Sequence, residues 1–233
     1  MPIGVFINSL SILFGGLIGA LIGNRVPERM KASLTSIFGI SGMALGITIM
    51  VEVQNLAPVI LSLIIGTAIG ELLDVDGRLR AFTVLLKSKL KKGSSEMDER
   101  AIAGFITLLV LFCTSSTGIF GTLSEAITGD HTVLIVKAIL DFFTSIIFAS
   151  TIGYLVMLIS IPQFALYILL YFLAAFIMPY LSDVMVADFK ACGAIIAFAV
   201  GFRMLELKQI RVANVLPALI VVMPLSYLWT RIF

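Results

Sequence analysis

Charge is scarce in this sequence. Asp, Glu, Lys and Arg supply 13% of its 233 residues, while 60% are hydrophobic, and the mean hydropathy is +1.12. Soluble domains run to about a quarter charged, so a water-soluble fold of this size could not cover its apolar surface. A bilayer removes that conflict, because lipid replaces water as the solvent. The net charge of +2 is too small to suggest nucleic acid as a partner. Histidine occurs once, at His131, which excludes a His-rich metal site. The two cysteines, Cys113 and Cys192, both lie inside apolar runs, which argues against a disulfide framework and against a cysteine metal site. No GxxxxGK[ST] stretch is present, so the chain carries no ATP-driven machinery of its own. HExxH is missing as well, Asp141 has no obvious intramembrane aspartate partner, and no cofactor motif occurs, so an enzyme is not expected. The start, Met1-Pro2-Ile3-Gly4, lacks a basic region, and the first apolar segment is expected to stay in the mature protein.

Long apolar runs are what the chain has in abundance. A membrane-crossing helix needs about 20 such residues. Eight candidates follow: 3–23, 34–51, 56–73, 102–127, 132–159, 163–181, 190–207 and 213–231, or seven if the last two are one. The expected fold is therefore an all-α, polytopic transmembrane helix bundle forming a single integral membrane domain over 1–233. The fourth and fifth runs are long enough to require tilt or a break. With eight spans and both termini outside, thirteen of the sixteen basic residues fall on the cytoplasmic side, as the positive-inside rule demands. Only Lys137, Lys190 and Arg231 are left over. The outer loops carry Glu52, Asp130, Asp183 and Asp188. This predicts a multi-pass protein of the cytoplasmic membrane.

The segment 74–100 reads as a cytoplasmic basic loop. Within 77–92, Leu79, Phe82, Leu86 and Leu90 recur at helical spacing with Arg and Lys between them. That pattern suits an amphipathic helix at the inner headgroup surface, or simply a solvated loop helix. GSSEMDER at 93–100 reads as a linker. Residues 21–47 can be laid over 176–202 without a gap, with Glu28 meeting Asp183. Because span two runs inside to outside and span seven the reverse, spans 1–3 and 6–8 would form an inverted repeat around two central helices.

Glycines recur every fourth residue: Gly15, Gly19 and Gly23 on span one, Gly42 and Gly46 on span two, Gly66 and Gly70 on span three. Such faces let helix backbones pack closely in lipid, within one chain or between copies in a homo-oligomer. A sharper feature is Cys113-Thr114-Ser115-Ser116-Thr117-Gly118. From the inner edge at Ile102, eleven helical residues climb about 16 Å, roughly half of the 30 Å core. The hydroxyls there either break the helix beside a cavity or bond within a straight, packed one. A broken helix would offer N–H groups to an anion. Lys137 and Asp141 sit four residues apart on one face of span five, at a similar depth. Intramembrane charges usually face a pathway or each other. Asn8 on span one, with Ser9 and Ser11, adds neutral polar groups.

Residues 132–151, TVLIVKAILDFFTSIIFAST, together with NSLSILFGGLIGALIG, IIGTAIGELL and NVLPALIV, resemble a bacterial membrane family. It is the domain-of-unknown-function 554 group of YqgA/YdfK-like inner-membrane proteins. The likeness covers nearly the whole chain, and the spacing of Lys137, Asp141 and Ser145 is its most specific element. The resemblance implies a bacterial cytoplasmic-membrane protein, described in terms of transport and without a settled activity. The leading expectation is a gradient-driven permease for a small polar or anionic solute, bound by Lys137, Asp141, Ser145, Thr114, Ser115, Ser116, Thr117 and Asn8. The competing one is a non-transporting scaffold or regulatory subunit.

Overall fold

The computed structural model describes residues 1–81, 99–113 and 115–232. The expected 77–92 helix beyond residue 81, the linker up to residue 98, and Thr114 lie outside these residues. Among the described residues there is no strand, and nine helices of 13 residues or more are present. They are α1 (Ile3–Ile22), α2 (Glu28–Met50), α3 (Leu56–Leu72), α4 (Glu99–Cys113) and α5 (Ser116–Thr128), followed by α6 (Thr132–Ile152), α7 (Ser160–Ile177), α8 (Asp183–Met204) and α9 (Ala218–Ile232). Among the described residues six runs are long and apolar enough to cross a membrane, or seven when α3 is joined to the short helix Val75–Ala81, bent 48° from it.

The helices are patterned inside out relative to those of a soluble protein. On α6, Val136, Leu140 and Phe143 are exposed, while Lys137, Asp141 and Ser145 are buried. On α1, Phe6, Leu10, Phe14 and Ile18 face outward, and Asn8 is completely buried. Water would reject that arrangement, whereas hydrocarbon favours it.

The chain forms two compact units, one of Met1–Ile37 with Thr83–Pro179, the other of Phe38–Phe82 with Tyr180–Phe233. In the first, α1 and α6 run parallel in close contact. A Cβ on Gly15 would collide with the Phe142 carbonyl, and one on Gly19 with that of Ile146. Here the glycine spacing serves backbone-to-backbone packing within one chain. Antiparallel to α6 lies α7, since Ser9 meets Gln163 while Val5 clusters with Leu134 and Tyr167. The chain therefore reverses after α6, through Gly153 at φ +82° and a 3-10 stretch, Gly153–Ile159. That left-handed backbone is strained for any residue with a side chain.

In the second unit, Gly66 lies against Ala218 and Gly70 against Asn214, so α9 runs antiparallel to α3. Gly46 meets Ala194 and Phe198, whereas Gly42 has open space before it. The α8 helix begins seven residues before the expected start of span seven. Ser182 caps it, accepting from the Met185 N–H at 3.3 Å, with Asp183 in the first turn. Asp188, expected in an outer loop, is consequently inside the helix and completely buried. Its carboxylate accepts from the Gln54 and Asn55 N–H groups at 3.2 and 2.8 Å and from Ser226 Oγ at 2.6 Å. Those bonds absorb backbone donors just before α3, which hydropathy alone does not reveal.

Candidate functional site

Within the first unit, the fourth apolar run is interrupted. The α4 helix stops at Cys113, and α5 starts at Ser116 with Ser115 as its cap, its side chain accepting from the Gly118 N–H at 3.4 Å. Breaking a helix frees carbonyls at its C-terminal end. One of them, on Phe112, accepts from the Tyr167 hydroxyl at 2.8 Å. Tyr167 is completely buried on α7. The break is thus held by a side chain from a neighbouring helix, as non-helical backbone inside a membrane protein requires.

Beside it lies the charged pair. The Lys137 ammonium donates to Asp141 Oδ2 one turn along α6, and the same oxygen accepts from Asn8 Nδ2 at 2.7 Å. Asn8 Oδ1 in turn accepts from Gln163 Nε2, and Gln163 Oε1 accepts from Ser9 Oγ at 2.6 Å. Every donor in this chain, from Ser9 through Gln163 and Asn8, points toward the Asp141 carboxylate. The ammonium also lies 5.8 Å from the Phe112 ring centroid and 5.9 Å from that of Tyr167, within the range of cation–π attraction. A Cβ on Gly118 would strike Lys137 Cε and the Tyr167 hydroxyl. The first turn of α5 therefore rests against the lysine stem.

Of the residues expected from sequence, Lys137, Asp141 and Asn8 come into direct contact, and Ser115 holds the neighbouring break. Ser145 is buried on the same face, and its hydroxyl has no hydrogen-bond partner among the described residues. Thr117 is exposed rather than turned inward, and the Ser116 side chain and Thr114 lie outside the described residues. Sequence reasoning missed Gln163 and Tyr167. Their four-residue spacing in an otherwise apolar run is the same signal that pointed to Lys137 and Asp141. Glu125 was missed as well: it is 1% exposed and accepts from the Gly4 N–H at 2.6 Å, at the start of α1. Among the described residues no group of three or more His, Cys, Asp or Glu side chains could hold a metal ion.

Chemically, the arrangement is a balanced pair of opposite charges in a low-dielectric interior. Amides extend it on the acidic side, and two aromatic rings and a helix N-terminus extend it on the basic side. Removing either charge leaves the other unpaired, which is far costlier than keeping both.

Comparison with known proteins places the chain in a family. A profile described as "Protein of unknown function (DUF554)" matches residues 3–227. "Uncharacterized protein YqgA" of Escherichia coli K12 is 40% identical over 234 residues, covering 100% of both chains. "Uncharacterized membrane protein YdfK" of Bacillus subtilis 168 is 26% identical over 222 residues, covering 94% of this chain and 93% of that one. No solved structure matches. With an all-helical fold, six to seven candidate spans and a relative described as a membrane protein, the chain is a membrane protein and belongs to the DUF554 family.

Proposed function

We propose that the chain is a multi-pass permease of the cytoplasmic membrane, moving a small polar or anionic solute at the expense of a proton or ion gradient. One observation carries this reading: the first turn of a broken helix rests against a buried Lys137–Asp141 pair, with Asn8 and Gln163 beside it. In this reading Asp141 exchanges a proton or cation, which frees Lys137. The lysine and the α5 N-terminus then hold the anionic part of the solute. No catalytic role is assigned to any residue.

Eight crossings with both termini outside suit this reading. Counting α6 and α7 separately and joining α3 to its bent extension gives eight runs, and the contacts within each unit alternate in direction as such a path needs. An inverted repeat is supported by the element boundaries. Asn8 and Gln163 are 155 residues apart. The same spacing separates the ends of α1 and α7, the 3-10 turns Gly23–Arg25 and Met178–Tyr180, and the starts of α2 and α8. Repeat-related helices of inverted topology must run oppositely, and α1 with α7, α2 with α8, and α3 with α9 each pack antiparallel.

The competing reading, a membrane scaffold, draws support from the closure of the polar chain upon itself. Flux separates the two. Reconstituted into liposomes under an imposed proton or sodium gradient, the wild type should accumulate at least one of a panel of radiolabelled amino acids and organic acids, and Asp141→Asn should accumulate none. Absence of flux for every solute, with Asp141→Asn altering stability alone, would favour the scaffold.

A further inference from the structure

Charge balance at the Lys137–Asp141 pair narrows the class of solute. In the described state the pair is closed: the ammonium has Asp141 and two ring faces, and the carboxylate has the ammonium and Asn8. Lys137 is 4% exposed and Asp141 7%, so neither charge has bulk water to fall back on. A purely anionic solute that captured Lys137 would strand the Asp141 carboxylate unless a proton entered with it. A purely cationic one that captured Asp141 would strand the ammonium. An unpaired buried charge weakens binding by about a hundredfold or more. A solute carrying both charges avoids this penalty at either end.

We propose that the solute is a small zwitterion, whose ammonium group replaces that of Lys137 against Asp141 while its anionic group takes up the displaced lysine. The inference rests on the permease reading and deepens it. Three further features fit both ends. The Phe112 and Tyr167 rings that flank the lysine ammonium would flank a ligand ammonium equally well. In the closed pair the lysine stem already lies against Gly118 in the first turn of α5, so an anionic group held by the displaced ammonium would sit near a helix start that favours it. The amides of Asn8 and Gln163 offer both donors and acceptors to the ligand's polar atoms. Tight packing of Lys137 Cε and the Tyr167 hydroxyl over Gly118 restricts the ligand to compact molecules. Binding exchanges one ion pair for two and changes no net charge, so it needs no accompanying proton.

The test is thermal unfolding of the purified full-length protein in detergent at constant ionic strength. Probes are 5 mM glycine, 4-aminobutyrate, sodium acetate or methylammonium chloride, each at pH 5.5 and 7.5. The expected result is a midpoint rise of about 3 °C or more with at least one zwitterion at both pH values, and none with acetate or methylammonium. The double variant Lys137→Met/Asp141→Leu is neutral and close in volume, so it serves as the folded control and should show no response. An equal rise in that variant would be a general osmolyte effect and would overturn the proposal. Stabilisation by acetate, stronger at pH 5.5, without any by the zwitterions would overturn it too. That outcome leaves a proton-coupled anion permease standing. No response to any probe, joined to an absence of flux across the liposome panel, would remove the zwitterion and the permease together.

Discussion

Asp188 in the second unit and Asp141 in the first are both buried and are held in opposite ways. Asp188 receives two backbone N–H groups, the Asn55 side-chain amide at 3.3 Å and the Ser226 hydroxyl. Its charge is spread over neutral donors fixed at the start of α3 and on α9. Asp141 instead receives one mobile, four-carbon lysine arm and one amide. Two of these donors are backbone N–H groups, which cannot leave without unfolding a helix end, so Asp188 is a fixed joint. A lysine can rotate away once another cation, or a proton on Asp141, replaces it. Burial of a carboxylate in a membrane therefore identifies no function by itself, and the mobility of its partners is what separates a joint from a site.

The largest effect should come from the joint. Asp188→Ala strips four donors of their acceptor in a buried place, a loss of about 5 kcal/mol. We expect little monodisperse protein after extraction, read by size-exclusion chromatography. If Asp188→Ala is recovered in wild-type yield with an unchanged unfolding midpoint, the contrast between the two aspartates collapses.

Next comes the pair. Lys137→Met should destabilise by about 3–5 kcal/mol, because it strands the Asp141 carboxylate. Adding Asp141→Leu should restore most of that stability while leaving flux absent. Such recovery of the fold without recovery of activity is what distinguishes an exchangeable pair from a joint. A double variant no more stable than the single one would mean that the pair is needed for packing.

A smaller effect is expected at Tyr167. Tyr167→Phe keeps the ring beside Lys137 but leaves the Phe112 carbonyl at the helix break without its donor, a cost of about 1–3 kcal/mol. Hydrogen exchange at α4 and α5 should accelerate while that of α3 and α8 stays unchanged. Faster exchange in all four helices would show that the break is not locally held.

The smallest effect lies outside the spans, at Asp130. The Thr132 hydroxyl and N–H, donating at 2.6 and 2.9 Å, hold this exposed carboxyl below its usual 3.8. A folded value below the unfolded one gives stability that is present above about pH 4 and is lost as the pH falls further. Asp130→Ala should lower the unfolding midpoint by no more than a degree or two at pH 7, and the difference should vanish below the folded value. A difference that persists at low pH would point to a role other than the charge.

Much of this was legible in the residues. Periodic apolar runs and scarce charge required a helical bundle in lipid, while the Cys113–Gly118 segment left a broken and a straight helix equally open until Ser115 was seen capping a new helix. The four-residue step from Lys137 to Asp141 put both charges on one helix face, which any α-helix would do. Asn8 was found as an isolated amide in an apolar run. Gln163 escaped because it stands at the expected start of span six, where a polar residue reads as the membrane edge, and Tyr167 because a tyrosine is at home in an apolar run. The cap that starts α8 at Asp183 was outweighed by the charges at Asp183, Asp188 and Lys190, which read as a loop. In fact the polar atoms of Asp188 are paid back by partners more than a hundred residues away for Asn55 and 38 away for Ser226.

Sequence by itself determined the solvent, the helices and the residues that could bear charge, because hydropathy and helical period are properties of neighbours along one chain. Tertiary structure decided which donors each buried carboxylate receives. That choice depends on donors brought in from α1, α3, α7 and α9, and a partner's freedom to leave is set by what holds it in space.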